Sequence, residues 1–147
     1  MKTFKIASYN VNSVRSRLPV VLPWLEKNRP SVLCLQETKT EDTKFPAKEF
    51  EESGWNVVYR GGKGYNGVAI VSAEKADRVA LGLDDGGPAD EDRLIRAVFS
   101  GITVVNTYVP QGADRESPKF AYKLEWFRRL RTFFARHYKP DQMILWC

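Results

Sequence analysis

The sequence predicts a single α/β domain. Three observations carry that prediction: an opening segment that switches from strand to helix and back to strand, a middle region of short β-branched and aromatic runs parted by Gly, Asp and Asn, and one long amphipathic stretch near the end. A chain of 147 residues fits one domain of roughly 100–200 residues and argues against two. With 43% hydrophobic and 28% charged residues, and 4 Trp, 6 Tyr and 8 Phe, it has ample core material and is not disordered as a whole.

Phe4 to Asn10 alternates weakly and closes on Tyr9-Asn10, as a short strand would. Leu18, Val21, Leu22 and Leu25 then recur at helical spacing behind Ser13 as a cap, with Pro19 and Pro23 expected to shorten or kink the helix and Arg29-Pro30 to stop it. Ser31 to Leu35 is a continuous apolar run, the signature of a strand buried on both faces, and it ends in Gln36-Glu37. Thr38 to Phe45 reads as a loop and Pro46 to Ser53 as a short helix, because Pro fits a first helical turn. Trp55 to Arg60, Gly67 to Ser72, Leu94 to Phe99 and Ile102 to Val109 read as strands.

Between them, Asp84 to Asp92 is acidic and rich in Gly and Pro, and reads as a flexible solvated loop in preference to a metal site. Pro118 to Tyr138 is the clearest helix, with Phe120, Leu124, Phe127, Leu130 and Phe134 as its core stripe and Lys123, Arg128, Arg129 and Arg136 on a solvated face. Met143 to Cys147 is an apolar run expected to form a central strand. The chain stops there, as though cut inside its fold.

A net charge of +5 and a pI of about 9.3 suit a polyanionic partner without identifying one. No apolar run reaches the ~18 residues of a membrane span, and the first ten residues turn polar too soon for a secretory signal, so no membrane partner and a cytoplasmic location are expected. Two cysteines make no disulfide framework, and a lone His137 excludes the usual Cys/His zinc site.

Apolar runs that end abruptly in polar residues place those residues at the rim of a sheet, where α/β proteins bind ligands. Asn10 with Asn12, Glu37, and Asn106 with Tyr108 stand at three such endings. Glu37 and Asn10 on neighbouring strands would offer hard oxygens to Mg²⁺, a cation that takes few protein ligands and keeps several waters. Gly61 to Gly67 is equally a phosphate-cradling loop or a hairpin turn, since GxxxxGK[ST] is absent.

Four blocks sharpen this. Ser8-Tyr9-Asn10-Val11-Asn12 with Arg15, Leu35-Gln36-Glu37-Thr38-Lys39, Asn66-Gly67-Val68-Ala69 and Asn106-Thr107-Tyr108-Val109-Pro110-Gln111-Gly112 closely resemble the exonuclease III/apurinic endonuclease branch of the endonuclease/exonuclease/phosphatase superfamily. The resemblance follows the family's order over residues 2–147. It implies that residues 1–147 are the N-terminal half of a four-layered α/β sandwich, two mainly antiparallel sheets flanked by helices.

Glu37 would be the principal ligand of Mg²⁺, or of Mn²⁺ in its place, with Asn10 and Asn12 beside it. Tyr108 would face the scissile phosphate, Asn10 and Gln111 would complete the catalytic group, and Arg15, Gly64, Tyr65 and Gln111 would contact DNA phosphates. The implied partner is duplex DNA with abasic sites or 3′ ends, hydrolysed by a protein that is monomeric when full length.

The same resemblance places a GDxN motif and a later SDH motif, with the catalytic Asp and His, beyond Cys147. His137 has no matching Ser-Asp neighbour. The chain alone is therefore expected to have little or no nuclease activity, and loss of a sheet to expose Ile6, Val104 and Ile144. The other readings are a non-catalytic DNA-binding or assembly half-domain and a phosphoesterase with a non-DNA substrate.

Overall fold

The computed structural model describes residues 3–147. β1 (Ile6–Asn10), α1 (Val14–Asn28) and β2 (Val32–Gln36) form the predicted strand-helix-strand opening. A 3₁₀ turn (Asp42–Lys44), α2 (Ala47–Glu52), β3 (Asn56–Arg60) and β4 (Val68–Ser72) follow. Next come β5 (Arg78–Leu81), a second 3₁₀ turn (Glu91–Arg93), β6 (Leu94–Phe99), β7 (Ile102–Thr107), α3 (Pro118–His137) and β8 (Ile144–Trp146).

The strands make two four-stranded sheets, ordered β1-β2-β4-β3 and β5-β6-β7-β8. Each has two antiparallel pairs and one parallel pair, β1 with β2 and β7 with β8. Alternation along the strands explains the layers. In β2 and β4, Leu33, Leu35, Ala69 and Val71 face α1 and α2, packing against Val14, Val21, Leu25 and Phe50, while Val32, Cys34, Val68 and Ile70 face the second sheet. From that sheet Ile95, Ala97, Phe99 and Val104 meet them, and on its far side Leu94 and Val105 receive Trp126, Leu130 and Phe133 of α3. Helix, sheet, sheet and helix thus form four layers within these residues, each fully buried large apolar side chain contributing roughly 1.5–3 kcal/mol.

The expected missing sheet is therefore a misreading. Both sheets are present, Val104 is fully buried, and Ile6 and Ile144 are half-buried. α1 also runs unbroken through Pro19 and Pro23. Both prolines lie on its exposed face, so the carbonyls they leave unbonded meet water. Ser13 caps it, its Oγ accepting from the backbone N–H of Ser16, and Arg29 ends it in the left-handed conformation.

α3 has the predicted extent and a different face. Leu124 and Phe127 are exposed, whereas Trp126, Arg129, Leu130 and Phe133 are buried. Arg129 joins them because its donors are filled. Nε and Nη2 grip both carboxylate oxygens of Asp85 at 2.7 and 2.8 Å, and Nη1 reaches Asp90 at 2.9 Å. The acidic 84–92 segment is thus anchored at these two carboxylates instead of being loosely solvated. β8 lies at the end of its sheet order, not at its centre, and β5 is an additional edge strand. Among the described residues no helix is long and apolar enough to cross a membrane.

Candidate active site at the strand ends

The chain turns sharply where β1 and β2 end. Asn12, Ser13, Glu37 and Lys39 all have positive φ, from 43° to 88°, a conformation that costs an ordinary residue of order 1–3 kcal/mol and clusters at functional sites. A backbone lattice holds it. Val11, Ser13 and Val14 donate N–H bonds to the carbonyls of Gln36, Glu37 and Thr38, stitching the β1–α1 turn to the segment leaving β2.

From the other side Thr38 and Lys39 donate to the carbonyls of Gly67 and Asn66. Gly67 is required there: its φ is +93°, and a Cβ would lie 2.0 Å from Thr38 Oγ1. Gly61 to Gly67 is the connection between antiparallel β3 and β4, which is the hairpin reading.

This lattice brings four of the predicted residues together. Asn10 Nδ2 donates to Glu37 Oε1 at 2.9 Å, and Asn10 Oδ1 accepts from the Asn12 N–H at 3.2 Å. Tyr108, immediately beyond β7, lies near enough to Glu37 for each group to shift the other's protonation. Lys39, which the sequence reading leaves without a role, completes the group: its Nζ lies 3.2 Å from Glu37 Oε2 and donates to Asn12 Oδ1 at 2.5 Å.

The electrostatics follow from these contacts. The Asn10 amide, then Lys39 and Tyr108, hold the Glu37 carboxyl below the usual glutamate range against an opposing effect of burial. Burial, reinforced by the neighbouring Glu37, pushes the Tyr108 phenol above its ordinary value, with Arg93 opposing. Arg93 is a second residue that sequence reasoning missed. Its guanidinium sits 4.9 Å from the centre of the Tyr108 ring and donates to the Tyr108 carbonyl at 3.2 Å.

The donor set fits a hard divalent cation. Glu37 Oε2 and Asn12 Oδ1 converge on one positive charge, the Lys39 ammonium, and an oxygen pair of this kind suits Mg²⁺ or Mn²⁺ with water completing the shell. Among the described residues no group of three or more His, Cys, Asp or Glu gathers to hold a metal, at this site or elsewhere.

Arg15, Gly64, Tyr65 and Gln111 lie outside this group, on exposed backbone adjoining it in sequence. Arg15 follows Ser13 on the first turn of α1, Gly64 and the 77% exposed Tyr65 precede Asn66, and Gln111 lies three residues past Tyr108. His137 is at the end of α3 with its ring against Phe133.

Comparison with known proteins gives a consistent picture. Residues 7–147 match the model of the endonuclease/exonuclease/phosphatase family. Exodeoxyribonuclease III of Haemophilus influenzae is 31% identical over 146 residues, which are 96% of this chain and 55% of that protein. An AP endonuclease from Archaeoglobus fulgidus superimposes with a TM-score of 0.95 at 51% identity, over 99% of this chain and 56% of that one. A 3′ phosphatase from Neisseria, solved with a product DNA hairpin, gives 0.86 at 43% identity over 91% and 52%. The chain spans about half the length of the curated relatives it matches.

Proposed function

Because the chain belongs to the endonuclease/exonuclease/phosphatase family, with homologues named exodeoxyribonuclease III and AP endonuclease, we propose that it carries the metal-binding and phosphate-facing part of a Mg²⁺-dependent DNA repair nuclease. The reaction is phosphodiester hydrolysis in duplex DNA, at abasic sites or 3′ ends. The observation that carries this reading is the Glu37 carboxylate at the strand ends, oriented by Asn10 and faced by Tyr108.

Glu37 is the principal metal ligand, and Asn12 Oδ1 is the second oxygen aimed at the same point. Asn10 turns its nitrogen to Glu37, so its part at the metal is to fix the carboxylate. A bound Mg²⁺ would neutralise charge on the phosphate oxygens. The rest is done by side chains. Tyr108, held above its ordinary pKa, stays protonated at neutral pH and donates to oxygen charge as it develops on the phosphate. Arg15, Gly64, Tyr65 and Gln111 line the DNA backbone beside it.

Residues 1–147 hold neither the GDxN nor the SDH motif to which the resemblance assigns the water-activating groups, so on this reading they do not cleave DNA by themselves.

The experiment compares cleavage of a duplex with one abasic site by this chain and by the chain continued through its reading frame, with and without Mg²⁺. Metal-dependent cleavage by the longer protein only, lowered about 100-fold or more by Glu37→Gln, is the expected result. Unchanged cleavage in Glu37→Gln overturns the metal assignment, and cleavage by the short chain overturns the missing base.

A further inference from the structure

One polar side chain lies wholly inside the packing between the two sheets at the site. Asn106, in β7, has no exposed surface. Its Nδ2 donates to the carbonyls of Leu35 at 2.9 Å and Ala69 at 2.8 Å, which face each other across β2 and β4. Its Oδ1 accepts from Gln36 Nε2 at 2.7 Å, and that amide also donates to Ser8 Oγ of β1 at 3.0 Å. The Asn106 amide thus ties β7 to two strands of the opposite sheet directly, and to β1 through the Gln36 amide, two residues before Tyr108 and beside the strand end that carries Glu37.

Resting on the reading of Glu37 and Tyr108 as the reacting pair, we propose that Asn106 is a positioning residue, which fixes the end of β7 against the end of β2 and so sets where Tyr108 stands relative to Glu37.

The physical reason lies in what apolar packing cannot do. The hydrophobic effect that holds Val, Ile and Ala side chains between two sheets is non-directional, so it specifies their register less sharply than a hydrogen bond does. A site whose groups belong to different sheets needs tighter control, because small misplacements of reacting groups are expensive. Hydrogen bonds are directional and strengthened by burial, and both Asn106 donors are used. A valine here would continue the inter-sheet apolar packing of Val104, but would leave the register of the two strand ends unspecified.

The test needs neither DNA nor metal, so its failure is separable from failure of the nuclease assignment, which shows in cleavage. The 147-residue chain is labelled at tyrosine Cζ with ¹³C, and the Tyr108 resonance is assigned by its loss in Tyr108→Phe. Glu37→Gln removes the carboxylate and moves that resonance. Asn106→Thr places a strand-forming residue there with a single donor in place of two. It is expected to move the Tyr108 resonance in the same direction while the other tyrosines stay in place, and to add no movement in the Glu37→Gln background.

A folded Asn106→Thr chain whose Tyr108 resonance does not move overturns the proposal, as does a full additional movement in the double variant. If Asn106→Thr fails to fold, Gln36→Leu serves instead, since it cuts one branch and leaves both carbonyl bonds. A smaller movement of the same sign supports the proposal, and none overturns it.

Discussion

Two clusters of opposite charge lie in this molecule, and they use their hydrogen-bonding atoms in different ways. Around Arg129 the guanidinium is 7% exposed and its donors are taken by Asp85, Asp90 and the Pro88 carbonyl, in the planar two-pronged geometry that arginine and carboxylate share. Around Glu37 the partner is a lysine point charge, the pair is more open at 35% and 20% exposure, and the backbone beneath is strained. The carboxylates Asp85 and Glu37 are equally accessible, at 21% and 20%, and the difference lies in the partner: a buried guanidinium in the first cluster, an accessible ammonium that an entering cation can displace in the second. Charge pairing of the first kind fixes the outer helix to its loop; pairing of the second kind keeps a carboxylate ionised and available.

The strongest way to break that contrast is Arg129→Met. It keeps volume but removes the partner of the buried Asp90 and of the more accessible Asp85. The expected loss is about 3–5 kcal/mol in denaturant unfolding, because Asp90 is left as buried, unpaired charge. Acid supplies the companion measurement. Arg129 holds Asp85 well below the usual carboxylate range, so the unfolded chain binds the proton first. That stability is complete above about pH 4, near the unfolded value, and drains away as pH falls towards the folded one. The gap between wild type and Arg129→Met should therefore narrow below about pH 4, and a constant gap would show that Asp85 is not the partner.

Gly67→Ala attacks the other cluster through its backbone. The positive φ and the overlap with Thr38 together should cost about 2 kcal/mol or more. Gly64→Ala gives the contrast. Its φ of +76° carries a strain of about 1–2 kcal/mol, but open space surrounds the new methyl group. Thermal melts of the two variants separate strain from crowding, and equal losses would mean that Thr38 yields freely.

These differences track what was legible in the sequence. β2 and β4 stand out as continuous apolar runs because both of their faces are buried, and β5 goes unseen because it is only four residues long with none buried. α3 has adjacent aromatics at Trp126-Phe127 and Phe133-Phe134, which allow two stripes, and hydrophobicity does not choose between them. The buried Arg129 then disguises the true one. Asn10, Asn12, Glu37 and Tyr108 show themselves as polar endings of apolar runs. Nothing local says that β7 lies over β2, and it was family resemblance that put Tyr108 beside Glu37. Lys39 and Arg93 acquire their roles only through tertiary contact.

Glu37→Gln should separate stability from function. The substitution removes charge and almost no volume at a partly exposed site, so unfolding should shift by less than about 1 kcal/mol. Mn²⁺ binding to the chain, followed by electron paramagnetic resonance, should be lost. A large loss of stability with Mn²⁺ binding retained would make Glu37 a structural residue like Asp85.

Lys39→Met is the smallest expected change in stability and the sharpest statement of the contrast. An exposed ion pair contributes about 0–1 kcal/mol, so the melt should scarcely move, unlike that of Arg129→Met. The ammonium nevertheless occupies the point on which Glu37 Oε2 and Asn12 Oδ1 converge, and a divalent cation entering there must displace it. Without Lys39 that competition disappears, and Mn²⁺ should bind more tightly even though Glu37 loses a group that favours its ionised form. Weaker Mn²⁺ binding would mean instead that the lysine orients the carboxylate for the metal, and that the two charge clusters are more alike than their burial suggests.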